Sequence, residues 1–313
     1  PETDYKILSW NIGFGAYEED FGFFMDGGTE SRAWSKERLE QNLDAIGETA
    51  AAQDADLMLL QEVDFDSDRS YHVDEALKLR TFDGLDVSTD SVFAVNYHSA
   101  YLFYPITQPH GASNSGLLTT SKLGIRSAVR RSLPVETGVT KLLDLDRCYS
   151  ISRVPTDNGK ELVIFLLHMS AYGNSDAIRE GQIRMLSQDM QKEYEAGNYV
   201  LCGGDFNHDL KASNDDNDDA ADYESWAYPF PREELPEHLS FCIDQLSDTE
   251  RNALWNSARN ADMEYIPGET YTVTLDGFII SDNIECLQYE NVNTGYSYSD
   301  HDPVYMKFKL LDN

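Results

Sequence analysis

The chain has 313 residues, of which 41% are hydrophobic, and it carries 24 Lys and Arg against 56 Asp and Glu, a formal net charge of −32. This hydrophobic content is enough for a sizeable core, and sandwich folds of such length commonly form one unit, so we expect a single domain and a monomer. Proteins that bind duplex DNA normally present a basic face to the phosphates, so the charge argues against tight duplex binding. No apolar run approaches the roughly 18 residues of a transmembrane helix.

The chain start and the cysteines leave the cellular location open. The sequence begins at Pro1 and enters an apolar run within a few residues, so we expect that a start methionine, a tag, a signal peptide or a membrane anchor has been removed. The four cysteines are spread along the chain, which is typical of small buried residues and not of a disulfide framework. Cytoplasmic and extracytoplasmic locations are both compatible with this pattern.

Helical and extended patterns alternate along the chain. Apolar positions on one helical face predict helices at 35–52, 175–195 and 248–259. Apolar runs predict strands near 5–11, 56–62, 92–97, 114–120, 147–154, 161–168, 198–204, 273–281 and 303–309. This alternation is typical of an α/β fold.

Polar side chains stand at one end of five of the apolar runs. They are Asn11, Glu62, His168, Asp205 with Asn207, and Asp300 with His301. Five runs that each deliver a polar group at one end indicate a single constellation at one edge of a sheet sandwich.

Carboxylates and amides dominate this constellation, which suits a hard divalent cation. Mg²⁺ and Mn²⁺ prefer carboxylate, carbonyl and water oxygens. Zinc fits less well, because no cysteine pair has zinc-finger spacing and the histidines are not arranged as His-Glu-x-x-His. His168 and His301 are then available for proton transfer or phosphate contact, which phosphoester hydrolysis requires beside a metal.

Six motifs in order along the chain carry a resemblance to a known family. They are Trp10-Asn11, Gln61-Glu62, His168, Gly204-Asp205-Phe206-Asn207, Leu275-Asp276-Gly277-Phe278 and Ser299-Asp300-His301-Asp302-Pro303-Val304. From about residue 5 to 309, the chain resembles the endonuclease/exonuclease/phosphatase superfamily, which includes DNase-like nucleases, apurinic endonucleases, neutral sphingomyelinases and inositol-polyphosphate phosphatases. The resemblance implies a DNase-I-like four-layer α/β sandwich with two packed mixed β-sheets, and a metal-dependent phosphoesterase.

The resemblance implies a metal centre with Mg²⁺ or Mn²⁺ as the cofactor. Glu62 would be the principal ligand. Asn11 and Asp300 would complete or orient the metal shell. A metal ion placed there would stabilise the negative charge that develops on the phosphate oxygens during attack.

The resemblance also implies roles for the remaining site residues. Asp205 would position or deprotonate the attacking water, and Asn207 would hold that water or a phosphate oxygen. Asp276 would pair with His301 and keep its charged form available. His168 would contact the scissile phosphate.

Two further residues are candidates for substrate binding. Asn114 lies in a Ser-Asn-Ser-Gly run that looks closer to sphingomyelinase-like and DNase-like members, and it would contact phosphate or serve as an ordinary turn residue. Arg69, which follows the Glu62 strand, would supply another phosphate contact or form a salt bridge within the acidic loop.

Loop insertions are predicted near 18–34 and 211–270, and they are expected to decide the substrate. The first contains three phenylalanines and a methionine at 21–25, which predicts an exposed apolar loop suited to binding. The second contains the acidic run 215–219, typical of a solubilising tip, and the aromatic run 226–231. The aromatic run either walls the cleft or packs under its own loop.

The leading interpretation is a hydrolase that cleaves a phosphodiester in preference to a monoester. Its substrate would be smaller or less polyanionic than duplex DNA, such as a lipid headgroup, a nucleotide or a short nucleic acid. A sphingomyelinase-like or nuclease-like branch member fits this interpretation. The alternatives are a non-catalytic binding protein on the same fold and a membrane-surface hydrolase whose aromatic loop contacts zwitterionic lipid.

Overall fold

The computed structural model describes residues 3–85, 90–135, 146–170, 176–212 and 227–311. The helices in these ranges are α1 (Lys36–Ala52), α2 (Glu75–Arg80), α3 (Asp176–Glu195) and α4 (Asp248–Ala253). The strands are β1 (Tyr5–Asn11), β2 (Leu57–Asp64), β3 (Asp90–Leu102), β4 (Gly111–Ser121), β5 (Ser127–Ser132), β6 (Cys148–Pro155), β7 (Glu161–His168), β8 (Tyr199–Asp205), β9 (Leu239–Phe241), β10 (Ala258–Arg259), β11 (Thr272–Val273), β12 (Asp276–Ser281), β13 (Ile284–Asn291) and β14 (Val304–Leu310). None of the described helices combines the length and apolar character that a membrane crossing needs.

Two six-stranded sheets form the centre of the fold. The first sheet has the strand order β13-β14-β1-β2-β4-β3, and the second has the order β5-β6-β7-β8-β12-β9. Both sheets are mixed, since β1 is parallel to β2 and β7 is parallel to β8, whereas β14 and β12 run antiparallel to their neighbours. Ile7 and Leu59 of the first sheet share one buried core with Ile164 and Leu201 of the second. The predicted pair of packed mixed sheets is therefore confirmed.

Helices cover the outer faces of the two sheets. On the first sheet, Leu43 and Ile46 of α1 are buried in a cluster with Trp10. On the second sheet, α3 contacts β8 and buries Leu186 and Met190. Every residue of β7 and β8 is buried, as expected for strands covered on both faces. The arrangement is the predicted four-layer α/β sandwich.

Two glycines at the end of β8 let the sheets approach closely near the predicted site. A Cβ on Gly203 would lie 2.7 Å from Leu59 Cδ1 of the first sheet. Gly204 has φ +144°, and a Cβ there would lie 2.0 Å from the carbonyl oxygen of Leu167. A larger residue at Gly204 would meet the backbone of β7, so this glycine lets β8 lie close to β7 immediately before Asp205.

The first two predicted helices are confirmed, but the third ends earlier than predicted. α4 begins with a capping box between Ser247 and Glu250 and ends at Ala253. The chain then forms β10, where Ala258 pairs with Val273 of β11. Pairing of residues distant in sequence therefore overrides the helical pattern over 254–259. The predicted strand at 273–281 is divided between β11 and β12.

Four described elements have no counterpart in the sequence prediction, namely α2, β5, β9 and β13. The residues of β5 are exposed at every position, so this edge strand has no alternation of polar and apolar side chains. β9 has three residues and α2 has six, so neither is long enough for a periodic pattern to be recognised. Short and exposed elements depend on their partners and not on their own sequence.

The insertion at 18–34 is packed more tightly than predicted. The rings of Phe21 and Phe23 are buried, with centroids 6.4 Å and 6.0 Å from that of Phe14. The expectation that these two phenylalanines form an exposed loop is therefore wrong, because the turn before them supplies aromatic partners. Met25 remains exposed, at 42%.

The insertion at 211–270 is described only in part, and its acidic run at 215–219 lies outside the described residues. In the part that follows, the ring of Phe230 is fully buried. Its centroid lies 5.8 Å from that of Phe206 and 4.9 Å from that of Phe241. Phe230 therefore packs beneath its own loop and does not wall the cleft.

His110, just before β4, joins the first insertion to the first sheet. It is buried, its Nδ1 donates to the carbonyl oxygen of Ser31 at 2.8 Å, and its Nε2 lies 3.2 Å from Ser113 Oγ. Burial, followed by the positive charge of Arg69, lowers the pKa of His110 to about 4. The folded protein therefore holds a neutral imidazole at this position.

This neutral histidine predicts a loss of stability in mild acid. The unfolded chain binds a proton at His110 below about pH 6.5, whereas the folded chain binds one only near pH 4, so the free energy of unfolding falls as the pH is lowered through this window. His110→Gln removes about 2 kcal/mol of this pH dependence between pH 7 and about pH 5. Denaturant unfolding at the two pH values measures it. His238→Gln, at an exposed ion pair with Asp282, is the control, and equal pH dependence in both variants would contradict the assignment.

Candidate active site

The strand register brings the predicted polar residues to one edge of the sandwich. At the end of β1, Asn11 pairs with the residue that precedes Glu62 on β2. At the end of β8, Asp205 lies between His168 of β7 and Asp276 of β12. The parallel pairs β1–β2 and β7–β8 therefore deliver their polar ends to the same side of the molecule.

Glu62 is presented by a bulge in β2. Leu60 pairs with Leu118 of β4 and Val63 pairs with Gly116, so two residues of β2 stand opposite one residue of β4. Glu62 has φ +52°, in the left-handed region that costs a glutamate roughly 1 kcal/mol or more. Bulges beside active sites change the direction of a side chain, and here the bulge brings Glu62 to the edge of the cleft.

The side chain of Asn11 links the carboxylates of the two sheets. Its Nδ2 donates to Glu62 Oε1 and to Asp205 Oδ2, both at 3.1 Å, and its Oδ1 accepts from the backbone nitrogen of Gly13 at 3.0 Å. In this arrangement Asn11 orients two carboxylates, and its own oxygen is used by the chain.

His301 is held by Asp276 in the predicted pair. His301 Nδ1 donates to Asp276 Oδ2 at 2.7 Å, and the same oxygen accepts from Ser257 Oγ at 2.7 Å. Burial alone would lower the pKa of His301, but the charges of Asp276 and Asp205 outweigh it and raise that pKa well above its ordinary value. His301 is therefore an imidazolium, and its Nε2 lies 3.7 Å from Asp205 Oδ2.

His168 has the opposite charge state. Burial, with the positive charges of Arg147 and His301, lowers the pKa of His168 well below its ordinary value. Its Nε2 lies 3.5 Å from Asp205 Oδ2. Burial raises the pKa of Asp205 to about 7, although His301 opposes the shift. Asp205 thus lies between a neutral and a charged imidazole, with a proton affinity suited to neutral pH.

Asn207 is fixed immediately after Asp205. Its backbone has φ +50°, and its N–H donates to Asp205 Oδ1 at 2.8 Å. Its Nδ2 donates to the carbonyl oxygen of Met169 at 2.8 Å. The side chain therefore uses its donor within the protein, and the acceptor oxygen is the group it can offer in the cleft, which it lines.

Two adjoining cavities of about 550 Å³ and 220 Å³ open over these residues. The residues that line both are Tyr17, Met25, Asp26, Glu62, Arg147 and His168. The larger cavity also reaches Asp205, Asn207, Asp300 and His301. The predicted catalytic and metal residues thus line a continuous cleft, except Asn11 and Asp276, which lie behind it and contact the lining residues.

The cleft residues that were not predicted from the sequence include the charged residues Asp26, Arg147 and Arg259. Asp26 follows the aromatic run of the first insertion and precedes two glycines, so the sequence places this acidic residue in a loop. Arg259 belongs to the region predicted as helix, and its guanidinium donates to the carbonyl oxygens of Glu18 and Phe21 at 2.9 Å and 3.2 Å. It therefore anchors the first insertion at the cleft wall.

The two predicted substrate-binding residues differ in their relation to the cleft. Asn114 donates from Nδ2 to the carbonyl oxygen of Asp66 at 2.7 Å and lines neither of the two cavities. Arg69 is buried in a two-bond ion pair with Asp64, at 2.9 Å and 2.8 Å. This is the salt bridge that the sequence left as an alternative, although Arg69 also lines the smaller cavity.

The carboxylates of the cleft fit a hard divalent cation. Burial and the charge of Glu62 raise the pKa of Asp300 to about 6, and Asp300 and Glu62 add to the desolvation that raises the pKa of Asp26 to about 7. Mutual repulsion of this kind is relieved by a bound cation, and carboxylate oxygens are the donors that Mg²⁺ and Mn²⁺ prefer.

A second group of potential metal ligands is less suited to a cation. Ligand atoms of Asp205, Asp276 and His301 lie within 4.8 Å of one another. However, His301 is positively charged and would repel a cation at this position. Asp276 Oδ2 is also already engaged in the hydrogen bond with His301.

Comparisons with known proteins agree with this geometry. The model of the Endonuclease/Exonuclease/phosphatase family matches residues 8–264. A search of curated protein sequences found no match.

Solved structures share the fold over almost the whole chain. An endonuclease/exonuclease/phosphatase from Beutenbergia cavernae DSM 12333 has 16% identity and a TM-score of 0.66, covering 98% of this chain and 72% of its own. The humanized TDP2 of D. rerio has 15% identity and a TM-score of 0.61, covering 98% and 99%. The catalytic domain of human Nocturnin has 18% identity and a TM-score of 0.57, covering 98% and 94%.

The family match covers most of the chain, and the similar structures show the same sandwich. The chain therefore belongs to the Endonuclease/Exonuclease/phosphatase family, whose members are phosphoesterases that generally use divalent metals.

Proposed function

We propose that this chain is a Mg²⁺- or Mn²⁺-dependent phosphodiesterase in which a water molecule held at Asp205 attacks the phosphorus. The observation that carries the proposal is the position of Asp205, within 3.7 Å of both a neutral and a charged imidazole. A base, a hydrogen-bonding group and a positive charge are thereby placed around one point of the cleft.

Asp205 is the base in this proposal. A general base works best when its pKa is near the operating pH, and burial raises the pKa of Asp205 to about 7. The N–H of Asn207 and the Nδ2 of Asn11 hold the two oxygens of the carboxylate in place. Asn207 offers its remaining side-chain oxygen to the attacking water.

The two histidines act on the phosphate oxygens. The His301 imidazolium, held by Asp276, provides positive charge and a donor for the oxygens that become more negative during attack. His168 is neutral, so it donates a hydrogen bond to the scissile phosphate without adding charge. Arg147 lines the cleft beside His168 and adds a further positive group.

Glu62 and Asp300 would hold the cation, and Asn11 orients Glu62 by its hydrogen bond. When bound, a divalent cation acts as a Lewis acid that neutralises charge on the non-bridging phosphate oxygens. Its binding would also offset the repulsion between Glu62 and Asp300.

The shape and charge of the cleft support a diester in preference to a monoester. The two adjoining cavities give room for a substituent on each side of the phosphorus. A diester carries one negative charge, whereas a monoester carries up to two. The carboxylates of Asp26, Glu62 and Asp300 in the cleft therefore repel a diester less than a monoester.

The substrate is a small or weakly charged phosphodiester, such as a lipid headgroup, a nucleotide or a short nucleic acid. The net charge of −32 opposes duplex DNA. Arg126 and Arg131, which follow β4 in a basic stretch, are held in ion pairs with Glu161 and Asp189. Because these carboxylates neutralise their charge, the two arginines do not form a basic surface for phosphate binding.

Asp205→Asn tests the assigned base. The variant keeps the size and hydrogen-bonding shape of the side chain but removes its proton affinity, so we expect turnover of an aryl phosphodiester with Mg²⁺ to fall by about 10²–10⁴-fold. Thermal unfolding checks that the fold is retained, and Asp244→Asn at an exposed ion pair with Arg232 is the control. Near-normal turnover in Asp205→Asn would remove this residue from the mechanism. Silence of the wild type across diesters, monoesters and metals would favour a binding protein.

Glu62→Gln tests the metal assignment. Loss of one carboxylate charge should raise the Mg²⁺ concentration for half-maximal turnover by about 10-fold or more. Calorimetric titration of the protein with Mn²⁺ measures the same loss without a substrate. The matched control is Glu285→Gln on the edge strand β13, where Glu285 forms an ion pair with Lys309 of β14. Unchanged metal dependence in Glu62→Gln would show that the ion is held elsewhere.

Asp276→Asn tests the charge of His301. Removing the carboxylate that contacts His301 should lower the pKa of this imidazole, because the charge of Asp276 is the largest of the effects that raise it. Because the protonated form is the active one, the alkaline limit of the pH–rate profile should move to lower pH. NMR titration of the histidine ring protons checks the pKa directly, with Asp282→Asn beside exposed His238 as the control. An unmoved alkaline limit would contradict a role for the imidazolium.

A further inference from the structure

The hairpin of β3 and β4 lies in a long uncharged segment of the sequence. No Asp, Glu, Lys or Arg occurs from Ser91 to Ser121, although charged residues make up 26% of the chain. The two strands pair as far as Leu102 and Gly111, and residues 103–110 connect them.

Large apolar side chains at this end of the hairpin are exposed. Phe103 is 76% exposed, Tyr104 67%, Ile106 88% and Tyr101 44%. We call these four residues the hairpin tip. Single exposed apolar residues are common on protein surfaces, but a contiguous group is typical of an interaction site.

The hairpin tip adjoins the cleft through a chain of ring contacts. The ring centroid of Tyr104 lies 5.9 Å from that of Phe24, which lies 5.6 Å from that of His110. His110 lines the smaller cavity, and exposed Met25 lines both cavities. Ring contacts therefore connect the tip to the wall of the cleft, and exposed Met25 lies on that wall.

We propose that the hairpin tip docks the protein on a zwitterionic lipid surface, with the cleft facing a phosphodiester in that surface. Tyr side chains are enriched at the boundary between lipid and water, and Phe side chains of surface-binding segments are buried at the boundary between headgroups and acyl chains. A net charge of −32 opposes anionic bilayers, whereas an uncharged tip meets a zwitterionic headgroup layer without repulsion. The docking rests on the tip alone, and the lipid nature of the substrate rests also on the proposed function.

Other partners fit the tip less well. Nucleic acid requires cations beside the aromatic rings, and the segment from Ser91 to Ser121 contains no Lys or Arg. A stable dimer requires roughly 800 Å² on each subunit. Four side chains at the end of one hairpin provide a smaller area than that.

Co-sedimentation with vesicles tests the docking. Phosphatidylcholine vesicles should bind the wild-type protein, and phosphatidylglycerol vesicles should bind it more weakly at low salt. The double variant Phe103→Ser, Ile106→Ser should bind phosphatidylcholine at least 10-fold more weakly. The matched control is Val129→Ser, Leu287→Ser, which changes two exposed apolar residues on the edge strands β5 and β13 and should bind like the wild type.

Three results would overturn the docking. They are no binding of the wild type to phosphatidylcholine, equal loss of binding in both double variants, and stronger binding to phosphatidylglycerol. A wild-type dimer that Phe103→Ser, Ile106→Ser converts to a monomer in size-exclusion chromatography would assign the tip to a second copy instead.

Hydrolysis assays separate this inference from the proposed function. The hairpin variant should hydrolyse a soluble aryl phosphodiester at the wild-type rate but a phosphodiester lipid in vesicles at least 10-fold more slowly. Vesicle binding that depends on the hairpin, without hydrolysis of any substrate, would support the docking and contradict the proposed phosphodiesterase activity. Equal hydrolysis of vesicle lipid by both proteins would refute the role of the tip in substrate access.

Discussion

The side-chain amide of Asn11 is the interaction on which the site depends, because it connects the two sheets. It donates to Glu62 of the first sheet and to Asp205 of the second. The carboxylate proposed to hold the cation and the one proposed to hold the water are therefore kept in a fixed relation by one buried side chain. Gly203 and Gly204 make this possible, since a Cβ at either position would clash with Leu59 or with the backbone of the neighbouring strand β7.

Around this link, the protein holds two buried imidazoles in opposite charge states. His168 has a pKa well below its ordinary value, chiefly because it is buried without a carboxylate at hydrogen-bond distance. His301 is equally buried, but Asp276 contacts its Nδ1 and keeps it charged. The difference arises chiefly from the Asp276 carboxylate at 2.7 Å, to which the charge of Asp205 adds. Paired groups whose environments separate their pKa values are a general means of assigning distinct roles to similar side chains.

Much of this site follows from the sequence, because apolar runs identify buried strands and the polar residue after each run lies at a strand end. That reasoning places Asn11, Glu62 and Asp205 together. It fails where distant contacts decide the outcome. Arg259 lies in a helical pattern, yet β-pairing and hydrogen bonds to the first insertion hold it at the cleft wall. Asp26 has no periodic signal, and the insertion that carries it is held by buried Phe21 and Phe23 and by the hydrogen bonds of Arg259.

The distribution of charge, and not only its sum, determines what the protein can approach. The acidic majority repels polyanions, and Arg126 and Arg131 are occupied by Glu161 and Asp189. The hairpin beside the cleft is uncharged. Its neutral apolar surface does not repel a headgroup and does not require a counter-ion. A substrate that enters from this side meets apolar side chains before it meets Glu62 and Asp300. A phosphodiester that carries an apolar group and little net charge fits this order of environments better than a polyanion does.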